Sequence, residues 1–160
     1  MLLTYRLCGK IHKDGSDTMT FALHTFGCKV NIYESEYITN ILEESGYKMI
    51  DFNHDKEADI YIINTCTVTN EADKKDRKLI HATRKNRPNS ILIVMGCYSQ
   101  LNPNDIDADI ILGNKYKSKI IDLIDEYKSL IEDFKSDKIK LSGKEFLNLE
   151  KKLLFGINIK

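Results

Sequence analysis

The sequence predicts an α/β fold, a mostly parallel sheet of about five strands with helices on both faces. Three observations carry that expectation. Short β-branched runs alternate with longer segments of helical period. No two-residue hairpin signal joins one run to the next, so each return must be a crossover. The strongest runs, Ile60 to Ile63 and Ile91 to Met95, are apolar at every position, as strands covered on both faces are.

The elements follow in order. Phe21 to His24 is a short strand that runs towards Gly27. Asn31 with Glu34 three residues on has the form of a capping box, and Ile38, Ile41 and Leu42 share one face of the helix it would open. Gly46 ends that helix as a C′ residue. Tyr47 to Phe52 reads as a second strand and Asp59 to Asn64 as a third. Asn70 and Asp73 open the next helix, which runs towards Arg87 and stops at Pro88. Ile91 to Met95, ending in Gly96, is the fourth strand. Asn102-Pro103 is a helix-start pair, with proline at the first helical position. Asp109 to Leu112 is the fifth strand. A last helix over Ser118 to Phe134 carries Ile120, Leu123, Ile124, Tyr127, Ile131 and Phe134 on one face. The domain is thus expected over residues 19–134. Residues 1–18 read as an irregular leader, non-native to the domain if Met19 is its start, and 135–160 as a divergent tail.

With 160 residues and 42% hydrophobic content, the chain suffices for one cored domain. Lys plus Arg and Asp plus Glu are equal at 24 each, so any basic surface must be local. No apolar stretch approaches the roughly 20 residues of a membrane helix. The opening Met1-Leu2-Leu3 run is broken by Arg6 and lacks a small-residue cleavage site, so no signal peptide is expected. A cytoplasmic, reducing location follows as the default, and there four dispersed cysteines read as core residues, metal ligands or reactive groups rather than disulfides.

Three of them occupy equivalent places. Cys28 follows the first predicted strand, Cys66 the third and Cys97 the fourth, each just past a strand's carboxyl end. In an open parallel sheet those ends form one rim, where ligands bind, with helix N-termini close behind to favour thiolates. Gly27 and Gly96 leave the backbone beside two of them accessible. Structural zinc takes four ligands in short-spaced pairs, and no such pair exists here. Three dispersed thiolates suit one iron–sulfur cluster with one iron free of protein ligand. Buried cysteines that serve as small hydrophobes are the competing reading.

Three segments add a resemblance. Thr25-Phe26-Gly27-Cys28-Lys29-Val30-Asn31, then Ile63-Asn64-Thr65-Cys66-Thr67-Val68-Thr69, then Gly96-Cys97-Tyr98-Ser99-Gln100, are similar to the N-terminal domain of radical-SAM methylthiotransferases, over about residues 19–127. Gly27-Cys28-Lys29-Val30-Asn31 resembles the branch acting on threonylcarbamoyladenosine beside the tRNA anticodon. The isopentenyladenosine branch typically has Gln-Met after the cysteine, and the ribosomal-protein branch Pro-Lys. The resemblance implies that Cys28, Cys66 and Cys97 ligate one auxiliary [4Fe-4S] cluster. It also implies a tRNA substrate, together with S-adenosylmethionine and a second [4Fe-4S] cluster in a radical-SAM domain.

The Cys-x-x-x-Cys-x-x-Cys motif of that second cluster does not occur in this sequence. The expectation is therefore a truncated or split product, inactive alone, that needs a radical-SAM polypeptide. A stand-alone iron–sulfur or sulfur-carrier module and an inactive remnant are the alternatives. A nucleotide- or flavin-binding domain is disfavoured, because no strand leads into a Gly-x-Gly-x-x-Gly loop.

Other residues carry weaker signals. Lys74, Lys75, Arg77, Lys78, Arg84, Lys85 and Arg87 outnumber Glu71, Asp73 and Asp76 on one helix, which suits either RNA phosphates or a plain solvated face. His24, His54 and His81 lack ligand spacing, and Cys8 sits in the leader as an incidental thiol. Tyr98 and Gln100 either line the site or pack at the sheet edge. Asn31, Asn64 and Asn70 are read as caps and turn formers near the thiols, with hydrogen bonding to a cluster as the other option.

Overall fold

The computed structural model describes residues 18–66 and 69–135. Cys8, almost all of the expected leader and residues 136–160 of the tail lie outside the described residues. In chain order the elements are β1 (Thr20–Thr25), α1 (Lys29–Glu44), β2 (Lys48–Met49), β3 (Ile60–Thr65), α2 (Asn70–Asn86), β4 (Ile91–Gly96) and α3 (Cys97–Leu101). A 3-10 turn at Pro103–Asp105, β5 (Ile110–Leu112), a second 3-10 segment at Asn114–Lys119 and α4 (Ile120–Lys135) complete them.

The five strands form one sheet in the order β2-β1-β3-β4-β5, and every pair is parallel. The α/β expectation holds, and the sheet is wholly rather than mostly parallel. β3 and β4 are buried at all six positions, which is why they read as unbroken apolar runs. Their side chains alternate between two cores. On one face, Phe21, Ile60, Ile62 and Ile93 meet Ile38 and Leu42 of α1 and Ile120, Ile124 and Tyr127 of α4. On the other, Ala22, Tyr61, Ile63 and Val94 meet Ile80 of α2 and Tyr98 of α3.

Local boundaries differ from the sequence reading where a side chain finds another partner. β2 keeps only Lys48 and Met49 of the expected Tyr47–Phe52 strand. Ile50 N–H still bonds Phe21 O at 2.9 Å, but the Asp51 carboxylate accepts from Asn53 N–H at 2.7 Å and turns the chain away. The cap of α1 is Cys28 rather than Asn31, and Glu34 makes no capping box because it pairs with Lys117 from the segment after β5. α2 is capped by Thr69, whose hydroxyl accepts from Ala72 N–H at 3.1 Å, so Asn70 is its first residue rather than its cap. Asn102-Pro103 opens only a three-residue 3-10 turn. Gly46 closes α1 as expected, with φ of 90°.

Ile93 is wholly buried in the core, whereas Ile32 is 51% exposed. Ile93→Ala should cost about 2–5 kcal/mol in urea unfolding and Ile32→Ala less than about 0.5 kcal/mol. Similar costs for both would contradict the placement of the core.

Candidate metal centre at the sheet rim

The chain order reverses between β1 and β3. α1 leads from β1 outward to β2, and α2 leads from β3 the other way to β4. In sheets of this kind the crossovers diverge at such a point, and ligands bind at the carboxyl ends of the strands there. Cys28 and Cys66 lie in those two loops, and Cys97 follows β4, the next strand over. Thr25 pairs with Asn64 and Thr65 with Gly96. Gly27 comes up against Cys66, and Cys97 directly follows Gly96, the ladder partner of Thr65.

Two glycines allow these close approaches. Gly27 has φ of 97°, and a Cβ there would lie inside the van der Waals contact of Cys66 Cβ and Sγ. Gly96 has φ of 111°, and its Cβ would strike the Thr65 carbonyl oxygen. Both positions demand left-handed backbone and close approach, which only glycine supplies. The Cys28 loop and the β4 end thus press directly on the end of β3.

Buried polar groups join the diverging loops. Asn31 Nδ2 donates to Phe26 O at 2.8 Å and to Thr65 O at 3.0 Å, linking the ends of β1 and β3 beyond their backbone ladder. Asn64 Nδ2 donates to Asn31 O at 3.1 Å and to Ser35 Oγ at 3.0 Å, and Thr25 Oγ1 donates to Ser35 Oγ at 2.7 Å. Thr65 Oγ1 donates to Met95 O at 2.7 Å. Ser99 Oγ reaches both Gly96 O and Leu112 O, extending the network to β5.

The three thiols are free, and their surroundings differ. Cys28 is exposed at the N-cap of α1, where the backbone N–H groups of Asn31 and Val30 lower its pKa. Cys66 is buried, and its N–H donates to Asp76 Oδ2 at 3.1 Å. Asp76 is itself fully buried; burial pushes its carboxyl up to about 6, and its Oδ1 has no partner among the described residues. Cys97 is half-buried, and its Sγ accepts from Asn114 Nδ2 at 3.2 Å. The Asn114 backbone N–H is held by Gln100 Oε1 at 3.2 Å.

Among the described residues no three His, Cys, Asp or Glu side chains gather round one point as a single metal ion requires. The thiols share a rim instead. A cluster, in which each thiolate takes a different iron, suits ligands set apart in that way. Asp76 and Asn114 were not singled out as site residues in the sequence. Asn114 follows β5 across the rim, and only the strand order brings it to Cys97.

The described histidines stay out of the site. His24 packs edge-on against Phe26 and at a tilt against Phe52, and burial lowers its pKa; His54 Nδ1 accepts from Lys56 N–H in a surface turn; His81 is exposed on α2. Tyr98 is a core residue, 3% exposed, with its hydroxyl pKa raised by burial.

A family model described as "Uncharacterized protein family UPF0004" matches residues 20–113, a span holding all five strands and all three rim cysteines. The chain belongs to this family. It is similar to the threonylcarbamoyladenosine tRNA methylthiotransferase of Bacillus subtilis (strain 168), at 44% identity over 113 residues, covering 68% of this chain and 25% of that protein. The enzyme of the same name from Thermotoga maritima matches at 42% over 108 residues, 66% of this chain and 24% of its own. The tRNA-2-methylthio-N(6)-dimethylallyladenosine synthase of Acinetobacter baylyi matches at 29% over 150 residues, 88% and 31%. This UPF0004 chain spans about a quarter of the length of the first relatives, and the resemblance to methylthiotransferase N-terminal domains read from its motifs is borne out.

The glycines give a direct check of the rim packing. Gly46 also has positive φ, 90°, but a Cβ there meets nothing within 4 Å. Gly46→Ala should cost only the backbone term, about 1–2 kcal/mol, and Gly27→Ala and Gly96→Ala distinctly more, by chemical denaturation. Equal costs at all three would mean that the rim is not close-packed.

Proposed function

We propose that this chain is the auxiliary-cluster domain of a tRNA methylthiotransferase that modifies threonylcarbamoyladenosine beside the anticodon. Cys28, Cys66 and Cys97 are its [4Fe-4S] ligands. The observation that carries this reading is their placement on the ends of three adjacent parallel strands at the switch point. The donors fit the group. Thiolates are the ligands such clusters take, Cys28 is held in an environment that favours its thiolate, and Gly27 and Gly96 keep Cβ atoms out of the rim.

When bound, a cluster with three protein thiolates offers one iron to exogenous sulfur. The remaining work belongs to the chain's own residues. Asn31 and Asn64 hold the β1 and β3 loops at a fixed separation. Asp76 fixes the Cys66 backbone from behind, and the Asn114 amide donates to Cys97 sulfur. S-adenosylmethionine and the radical-forming second cluster would be supplied by a radical-SAM domain or polypeptide, since this sequence holds no Cys-x-x-x-Cys-x-x-Cys motif. This chain alone is accordingly proposed to be inactive, and its place to be the cytoplasm. No helix among the described residues is long and apolar enough to cross a membrane.

Anaerobic reconstitution with iron and sulfide should load about four irons per chain. Cys28→Ala, Cys66→Ala and Cys97→Ala should each abolish or cripple loading, and Cys8→Ala should leave it intact. Normal loading in all three rim variants would sink the proposal. Asn114→Ala should keep its iron but move the cluster's reduction potential to a more negative value, because an N–H···S bond stabilises the more negative reduced state.

A further inference from the structure

We infer that the outward face of α2 is an RNA-backbone surface, a row of lysines that meets the phosphates of the nucleic acid whose base is presented at the cysteine rim. The sequence shows seven cations and three acids in this segment, and the fold sorts them. Asp76 is fully buried and Asp73 half-buried, so two of the three acids leave the surface. Arg84 is also drawn inward, to Asp109 at 2.9 Å, and Arg87 lies over the Tyr61 ring at 5.8 Å.

Lys74, Lys78 and Lys85 remain on one exposed face with His81 between them, and Lys75 and Arg77 flank them. They recur at about one-turn spacing, over roughly 16 Å of helix axis. Among the described residues none of the four lysines makes an ion pair. Their charge is therefore open to an external anion, in a chain whose formal net charge is zero.

The chemistry of the face selects the partner. A protein interface or a membrane-surface helix needs apolar anchors beside its cations. This face has none; the large exposed hydrophobics lie on other elements, such as Val30, Tyr33 and Tyr37 of α1. Regularly spaced point charges without apolar company suit a phosphate backbone. The row also begins at the rim, because α2 starts four residues after Cys66. A strand lying along α2 would thereby deliver a nucleotide to the cysteines. The choice of RNA over another polyanion rests on the proposed function.

The test is binding of a fluorescent anticodon stem-loop RNA to the full chain across a salt series. Lys74→Ser, Lys78→Ser and Lys85→Ser are combined in one variant. A control combines Lys48→Ser, Lys56→Ser and Lys119→Ser, the same charge change at exposed lysines elsewhere. The α2 variant should bind about tenfold or more weakly, with a log–log salt slope shallower by about two, while the control stays within about twofold. Equal loss in both variants, or none in the α2 variant, overturns the inference. So does a chain that ignores RNA yet binds phosphatidylserine vesicles through these lysines. Iron content measured on the same samples separates the two claims. Failed loading with α2-dependent RNA binding refutes the cluster alone, and normal loading with α2-independent binding refutes the RNA surface alone.

Discussion

The Asn31 carboxamide, donating to Phe26 O and Thr65 O, holds together the ends of β1 and β3 where the sheet's chain order reverses. A doubly wound sheet has a weak point there. The backbone ladder stops, the two crossovers leave in opposite directions, and carbonyls are left facing a crevice. An unsatisfied buried carbonyl costs about 1–3 kcal/mol, so two such groups would destabilise the rim considerably. One side-chain amide satisfies both. Because Asn31 lies in the first turn of α1, it also places the helix start, and with it Cys28, against β3.

The rest of the rim is built on that clamp. Gly27 rests on Cys66, and Gly96 rests on Thr65, so loops from three strands touch without intervening side chains. Asn64 donates to the Asn31 carbonyl and is itself braced by Ser35, and Asp76 supports Cys66 from the opposite face of the sheet. Cys66 is part of this scaffold, buried against Gly27, while Cys28 is exposed and Cys97 half-buried. A site whose frame is held by other residues can present thiols to a cofactor without depending on that cofactor for its shape.

Much of this was legible in the sequence, for identifiable reasons. Ile60–Ile63 and Ile91–Met95 are apolar throughout because both faces are covered, and Cys28, Cys66 and Cys97 could be placed at strand ends from local pattern alone. What escaped was set by tertiary partners. Asn31 followed by Glu34 has the form of a capping box, but Asn31 spans two strands and Glu34 turns to Lys117, 83 residues away. Asn114 reaches Cys97 only because β5 lies beside β4. Arg84 counted as surface charge until its pairing with Asp109 drew it inside, and the buried state of Asp76 follows from the same packing of α2. Short-range signals describe elements well, and they do not say which long side chain crosses to which neighbour.

The charge on α2 and the place of Cys66 at a strand end are two consequences of one architecture, since the helix that carries the lysines follows the strand that leads to Cys66. The central claim is that Cys28, Cys66 and Cys97 act as one ligand set. An anomalous-difference map at the iron edge, from crystals of the anaerobically reconstituted chain, tests it most directly. A single compact iron peak at the β1-β3-β4 rim, within bonding reach of all three sulfurs, is expected. Iron located elsewhere, or bonded to only one of these cysteines, would contradict it.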